Sequence, residues 1–465
     1  MINIVNVADV IDQRPVGPLQ VRVFVLCAAV LFVDGFDIQG ITYVAPAMSQ
    51  EWALPRGAFG PTFSAGVLGM MLGGLLLAPL ADRIGRRRVI IASCVAFGLF
   101  TMATTLVRSL DTLLLLRFFT GLGLGSALPN AIGLTSEYAP HTRRGAIVMF
   151  VSSGVSLGSI AAGLLAARLI STLGWQAVFM AGGVLPLVLA VVLWRWLPES
   201  IRFAALLPAR QTEAKRLLRA ITPQLPPDGE IALQSGNTAG GTASVRDLFR
   251  NKLGPSTALI WIALFVSMLN LFLAINWLPT SLNASGFSVT QAAMITSMDH
   301  VGGVIGTFAC GLLMDRFGAH AILMFAFSLA GAGFLTFAIT PVLSQWATTL
   351  LLMATGVGVI GGQIGLGALA STIYPVEIRS TGLGWALGVG RLGAIAGPAV
   401  GGLMLMTGVD AKHLYLVCIV PAVVGAVAIA LLGRRARDES SLASFAAHGT
   451  DASPLRNAEA GIRRG

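Results

Sequence analysis

Val23-Phe24-Val25-Leu26-Cys27-Ala28-Ala29-Val30-Leu31-Phe32-Val33-Asp34-Gly35-Phe36-Asp37 opens an apolar run that continues to Pro46 and carries two carboxylates. A bilayer core about 30 Å thick is crossed by roughly 20 apolar residues rising about 1.5 Å each, so this run is long enough to span. Asp34 then lies about 17 Å along it, near mid-depth, with Asp37 beside it. At i and i+3 the two acids stand on neighbouring turns of one helix face. An ionised side chain at that depth costs at least about 2.5 to 3.5 kcal/mol unless it faces protein or water, so the pair marks a pathway through the membrane. Desolvation and mutual repulsion favour a proton held between the two acids, which makes them candidates for binding and releasing one. The plainer alternative is that one acid caps a helix broken at Gly35 or neutralises a structural arginine.

Composition extends this reading to the whole chain. The 465 residues are 55% hydrophobic and 11% charged, with mean hydropathy +0.80, which no water-soluble domain of this length shows. The apolar segments are long and spaced by glycine, not alternating in short runs, so helices are expected and a barrel is not. The net charge of +10 falls between the apolar runs, which points to membrane orientation and away from nucleic acid. Arg83, Arg86, Arg87, Arg88, Arg143, Arg144, Arg195, Arg202, Arg316, Arg379, Arg434, Arg435 and Arg437 follow alternate runs, with only Arg56, Arg108, Arg168 and Lys412 on the other side. This places both termini in the cytoplasm and demands an even number of spans. Cys27, Cys94, Cys310 and Cys418 sit singly in separate runs and read as packing residues. The polar first 22 residues precede a run too long for a signal-peptide core, so no cleavage is expected.

About twelve spans are expected, near 23–47, 58–81, 89–107, 112–136, 146–170, 175–197, 255–282, 290–314, 319–340, 347–373, 381–406 and 412–432. They divide into an N-terminal six-helix half at 1–199 and a C-terminal half at 253–433. A cytoplasmic linker fills 200–252, with Pro226-Pro227, a Gly/Thr/Ser-rich stretch from Gly236 to Ser244 and a short amphipathic helix near Glu213 to Ala220. A disordered cytoplasmic tail follows at 434–465. Internal repeats support the division. Ala78 to Gly85 matches Gly311 to Gly318, Tyr138 to Gly145 matches Tyr374 to Gly382, and Gly154-x-x-x-Gly158 matches Gly393-x-x-x-Gly397, each pair roughly 235 residues apart. Parallel duplication of this kind suits halves that rock about a midplane site.

The loop Asp82-Arg83-Ile84-Gly85-Arg86-Arg87 resembles the signature between helices two and three of the major facilitator superfamily, and the resemblance covers the whole chain. An acid, bases and a turn glycine in a short loop can latch helix ends by charge-assisted hydrogen bonds, so Asp82, Arg83, Gly85 and Arg86 are assigned to conformational gating. Asp315 and Arg316 form the second copy, in which Ala319-His320 replace the arginines. Arg117-x-x-x-Gly121 and Pro198-Glu199-Ser200-Ile201-Arg202 agree with the superfamily, and Arg117 joins the gating set as a residue able to snorkel to the surface.

Within the superfamily, Asp34-Gly35-Phe36-Asp37, Asn276-Trp277-Leu278-Pro279-Thr280 and Gly390-Arg391-Leu392-Gly393-Ala394-Ile395-Ala396-Gly397-Pro398 resemble the aromatic acid:proton symporter family. That resemblance implies an all-α membrane protein of two pseudo-symmetric halves. It implies proton-coupled uptake of 4-hydroxybenzoate, protocatechuate or benzoate by a monomer in the inner membrane, with protons as coupling ion and no other cofactor. Arg391, about 18 Å into its span, reaches the depth of Asp34, as do Asp299 and His300. An acid pair, an arginine and Asp-His at one depth suit a coupled anion and proton site. Asp34, Asp37, Asp299 and His300 are therefore the proton-coupling candidates. Arg391 is the carboxylate anchor, and Phe36, Tyr43, Trp277 and Trp385 are candidates to hold the ring, although membrane helices also use aromatics for packing.

Gly356-x-Gly358-x-x-Gly361 matches a dinucleotide fingerprint, but it lies inside an apolar span with no strand before it and reads as helix packing. No metal-ligand or nucleophile pattern stands out, so an enzyme is not expected. Competing readings are a 3-hydroxyphenylpropionate or gentisate symporter, a sugar porter, a drug/proton antiporter or a non-transporting sensor. A sugar porter would end in a Pro-Glu-Thr motif where this chain has Gly433-Arg434-Arg435, and an antiporter would carry Pro where Ser159 follows Gly158.

Overall fold

The computed structural model describes residues 3–6, 11–12, 15–222, 231–234, 244–250, 253–340, 344–375 and 378–450. Twelve long helices carry the described fold: α1 Pro18–Glu51, α2 Gly60–Ile84, α3 Arg86–Ala103, α4 Leu110–Tyr138, α5 Arg144–Leu173 and α6 Gln176–Trp196, then α7 Leu253–Ala284, α8 Val289–Phe317, α9 Ala319–Ile339, α10 Gln345–Ile373, α11 Arg379–Met406 and α12 Leu414–Thr450. Eleven of them, α2 to α12, are long and apolar enough to cross a membrane, so the chain is a multi-pass membrane protein. The expected twelfth span is α1, which meets the length but carries the two carboxylates and is not in that set.

The two halves repeat one pattern of helix neighbours. In the first, α1 packs on α5, α4 and α6, while α2 and α3 pack on α4, and α3 on α6. In the second, α7 packs on α11, α10 and α12, α8 and α9 on α10, and α9 on α12. The repeated glycines explain the tightest pairs. A methyl on Gly158 would stand 1.9 Å from the Phe32 carbonyl oxygen, and one on Gly393 would stand 2.1 Å from that of Phe265. Only hydrogen there lets α5 lie against α1 and α11 against α7 in the same way. The dinucleotide-like glycines are packing positions too: Gly356 lies against the backbone of Asp299 and Gly361 against Gly306.

The halves meet along α2 with α11 and α5 with α8, and through α1 with α7 and α8. Ser64 Oγ donates to the Ile395 carbonyl at 2.9 Å, Phe63 meets Trp277 edge-on at 5.3 Å, and Gln50 Nε2 donates to Asn283 at 3.1 Å. These contacts lie toward the end of the bundle that carries Gly57, opposite the Asp82 loop. Between the halves, a helix at Gln211–Ile221 buries Ala214 and Leu218 against the first half. Asn3–Asn6 pairs in parallel with Ile231–Gln234, a small sheet that the helical patterning did not foreshadow. Pro226-Pro227, residues 236–243 and the tail beyond Thr450 lie outside the described residues, and the tail expected from residue 434 starts within α12.

Candidate functional site

The i, i+3 pair on α1 divides between two surroundings. Asp37 is buried and takes a hydrogen bond from Thr101 Oγ1 of α3, and its Oδ2 stands 3.3 Å from Arg117 Nη1 of α4. Arg117 Nη2 donates to Thr101 Oγ1 at 3.3 Å and Thr104 Oγ1 at 3.1 Å, and its guanidinium lies 5.2 Å from the centre of the Phe179 ring. Arg117 therefore does not snorkel, and at 4% exposure it is no part of a surface gate. Its place near mid-depth is held by the acid that the sequence assigned to proton work. The plainer reading of an acid neutralising an arginine is thus met at Asp37. Asp34 is different: it is fully buried, and neither oxygen has a hydrogen-bond partner among the described residues. It lies close enough to Asp37 and to Cys94 of α3 to act on both electrostatically.

Asp37 and Arg117 line a small cavity of about 40 Å³ between the halves. Its other polar walls are Thr62 of α2, Thr120 of α4 and Asn276 of α7, and its apolar walls include Phe63, Met70 and Phe272. Thr120 Oγ1 has no hydrogen-bond partner among the described residues, and Asn276 Nδ2 is spent on the Phe272 carbonyl at 2.7 Å, which leaves its Oδ1 as an acceptor. The four aromatics expected to hold a ring lie elsewhere. Phe36 packs into the first half beside Gly158 and Gly182. Tyr43 donates to the Ser159 carbonyl at 3.1 Å, and Trp277 donates to the Pro398 carbonyl at 3.2 Å. Trp385 is 49% exposed on the outside of the bundle, stacked on Trp261. Phe63 and Phe272 take the places that sequence reasoning gave to these four. The helical stripes 62, 63, 66, 67, 70 and 117, 120, 121, 124 were visible signals, but a stripe alone does not say which way it faces.

Arg391 crosses from α11 to the other half. A methyl on Gly74 would stand 2.7 Å from its Nη1, and Gly74 lies in the π-helical segment Gly73–Leu77 of α2, one turn beyond Met70 of the cavity wall. It forms no ion pair among the described residues, so it is not the counter-ion of Asp37 or Asp299. Asp299 and His300 of α8 sit in a separate cross-half cluster. His300 Nε2 lies 2.8 Å from Gln39 Nε2, and Ser297 and Asp299 approach Tyr43. The expected convergence at one depth thus resolves into two neighbouring groups joined through α1.

At the loop, Gly85 turns the chain from α2 into α3 at φ 102°, and Glu199 fills the space a side chain there would need. Glu199 Oε1 accepts from the backbone N–H of Arg87 and of Ser200, each at 3.0 Å, and Arg210 Nη1 stands 3.6 Å from Oε2. Arg86 Nε donates to Glu137 Oε1 at 2.8 Å, Ser200 Oγ donates to the same carboxylate, and Tyr138 donates to the Glu199 carbonyl at 2.7 Å. Gly85 makes the turn and Arg86 is paired, but the acids these residues meet are Glu199 and Glu137, not Asp82. Asp82 and Arg83 are exposed and make no hydrogen bond or ion pair among the described residues. Asp315 and Arg316 are likewise exposed, with Arg316 over the Phe317 ring at 5.3 Å. Both acids stood inside or beside the quoted motifs, where nothing in one sequence pairs Glu137 with Arg86 or Glu199 with the turn. Glu199→Ala should slow substrate exchange and lower the melting temperature, because the buried Ser200 N–H and the half-buried Arg87 N–H lose a charged acceptor, a bond to a charged group being worth about 1.5 to 3 kcal/mol. Counterflow rates against equilibrium affinity check this; a loss confined to affinity would contradict it.

Two equivalent helical bundles around a cavity with a buried ion pair define a secondary transporter, and the chain is not an enzyme. It belongs to the Major Facilitator Superfamily, which matches residues 27–362 and again 260–460. It is 36% identical over 431 residues to the 4-hydroxybenzoate transporter PcaK of Pseudomonas putida, covering 92% of this chain and 96% of that one. It is also 36% identical over 439 residues to a gallate transporter of Pseudomonas putida, covering 91% and 94%. Among solved structures, a bacterial homologue of the human lysosomal transporter Spinster, inward-facing and unoccupied, matches with TM-score 0.70 at 18% identity, covering 90% of this chain and 97% of that one, which shows the fold.

Proposed function

We propose that the protein carries small aromatic carboxylates such as 4-hydroxybenzoate, protocatechuate or benzoate together with protons across the cytoplasmic (inner) membrane. In this reading it works as a monomer with both termini in the cytoplasm, and protons are the coupling ion, with no cofactor. The observation that carries the proposal is the Asp37–Arg117 pair in the wall of a mid-depth cavity whose remaining walls mix Phe63 and Phe272 with Thr62, Thr120 and Asn276. Apolar rings of that kind suit an aromatic plane, and the scattered acceptors and hydroxyls suit its substituents. The similarity to carriers of 4-hydroxybenzoate and gallate supports the same substrate class.

Asp34 supports the proton half of the proposal. Among the described residues neither oxygen has a hydrogen-bond donor and no ion pair reaches it, so a charge there has little to offset its cost and the group is suited to holding a proton. Arg391, one turn from the cavity toward the Asp82 end and in no ion pair among the described residues, is suited to receive a carboxylate passing between the cavity and that end. The test is uptake of labelled 4-hydroxybenzoate into proteoliposomes under an imposed pH gradient, with counterflow as control. Accumulation that collapses with a protonophore supports symport. Binding without any flux would make the protein a sensor, and flux indifferent to the gradient would make it a uniporter.

A further inference from the structure

We propose that a second cavity, between the first turn of α9 and the end of the span in α12, binds the phosphate group of an anionic phospholipid. The cavity measures about 490 Å³ and lies at the end of the bundle that carries the Asp82 loop. Its basic walls are His320 of α9 and Arg434 and Arg437 of α12, and Phe317, Met324 and Ala430 are among its apolar ones. His320 packs over Gly433, where a methyl would stand 3.2 Å from its Cβ, and Arg437 Nε donates to the Gly433 carbonyl at 3.2 Å. Among the described residues no acid lines this space, and Arg434 enters no ion pair. Two guanidinium groups on one space repel each other, and an anion placed between them removes that cost and gains charge-assisted hydrogen bonds.

The first half shows what such a space holds. Gly85 and Gly318 occupy the same place in the internal repeat, and each turns the chain into the next helix at positive φ, 102° and 86°. At Gly85 the room a side chain would need is filled by the Glu199 carboxylate, which accepts from the N–H of Arg87 in the first turn of α3. At Gly318 nothing lies within 4 Å of that position. His320 stands where Arg87 does, and among the described residues no carboxylate meets the first turn of α9 and no side chain caps it. Gly318, His320 and Ala321 of that turn line the cavity, so the positive end of a 21-residue helix adds to the two arginines. Glu199 reaches its turn from just beyond α6, and the corresponding stretch of α12 is Gly433 to Arg437. One half thus carries its own anion, whereas the other presents cations around the same turn.

What lies beside the cavity favours a lipid over a free anion. Both α9 and α12 contain membrane spans, and the helix face that carries Arg434 runs back through Leu431 and Val427, both exposed. On α9, Met324 of the cavity wall and its neighbour Phe325 are exposed too. These side chains stand on the outside of the bundle, where acyl chains pack, and the arginines stand at the ends of the spans, where headgroup phosphates lie. Inorganic phosphate would gain the charge contacts and none of the apolar ones.

The test is native mass spectrometry of the purified full-length protein from detergent holding equal phosphatidylglycerol and phosphatidylcholine, with melting curves alongside. Wild type should retain one phosphatidylglycerol, preferred at least about tenfold over phosphatidylcholine, and that lipid should raise its melting temperature. Arg434→Gln with Arg437→Gln removes two exposed cations, so the fold should hold while the preference and the melting shift both vanish. Ala321→Glu keeps both arginines and places a carboxylate in the cavity; it should lose the lipid as well, and it decides the matter if the double variant melts early. Arg88→Gln with Arg195→Gln, exposed at the same end of the first half, should bind as wild type does. Equal retention of the two lipids by wild type, a preference that survives in the folded double variant, or a loss in the control pair as well overturns the site. Displacement of phosphatidylglycerol by inorganic phosphate in a parallel sample would give the cavity to a soluble anion and overturn the lipid assignment.

Discussion

Proteoliposomes carrying Asp34→Asn should bind benzoate-type acids normally yet fail to accumulate them. Asp34 is 0% exposed, does not line the cavity and has no hydrogen-bond partner for either oxygen among the described residues, so the substituted amide changes neither the cavity walls nor a hydrogen bond seen there. What it removes is the option of gaining and losing a proton. If coupling runs through this acid, a pH gradient can no longer drive uptake, and the tenfold concentration ratio available per pH unit, about 1.4 kcal/mol, falls to none. Affinity is the control readout, because the cavity walls do not include Asp34 and the substitution should leave binding unchanged. A melting curve checks that the amide is accommodated, since an unpaired buried amide costs about 1 to 3 kcal/mol. Uphill, protonophore-sensitive uptake at wild-type level by a folded Asp34→Asn protein would remove Asp34 from the mechanism.

Arg391→Ala should lower carboxylate affinity about 10- to 100-fold, the worth of one charge-assisted contact of about 1.5 to 3 kcal/mol. The fold should survive, because no acid among the described residues pairs with Arg391 and none is orphaned by its loss. This separates Arg391 from Arg117, whose removal alone strands Asp37. Arg391→Lys should recover little, since an ammonium cannot make the planar two-point contact that a carboxylate accepts. Its reach to Gly74 adds a geometric control. Gly74→Ala places a methyl 2.7 Å from Nη1 and pushes the guanidinium off the π-helical segment, which should weaken binding in the same direction by a smaller factor. Unchanged affinity in a folded Arg391→Ala protein would leave Arg117 as the sole cation for the substrate.

The candidate site was half legible before folding. Asp34, Asp37, Arg117, Asp299, His300 and Arg391 were all singled out from their position inside apolar runs, and all six are buried or half-buried in helices. Their pairing was not legible. Arg117 stood near one end of its run and read as a snorkelling residue; only the placement of α3 and α4 beside α1 shows that Thr101, Thr104 and Asp37 hold it inward. Trp385 and Trp277 were chosen for their size, whereas Phe63, Phe272 and Asn276 line the cavity. Asn276 was within a quoted motif, one residue from the wrong choice.

The sequence by itself determined that this is a multi-pass helical membrane protein of two related halves, and how far along its own helix each charge stands. Those properties follow from run length, from arginine position and from a rise of about 1.5 Å per residue, all of which are read along one axis. The tertiary structure alone decided which acid meets which base and which rings face the cavity. These depend on the rotation of each helix about its axis, and an apolar helix in a membrane carries no polar face to announce that rotation. It is set by close contacts such as Gly158 against Phe32 and Gly393 against Phe265, where a missing side chain lets two backbones touch and so turns Asp37 toward Arg117 and leaves Asp34 behind it.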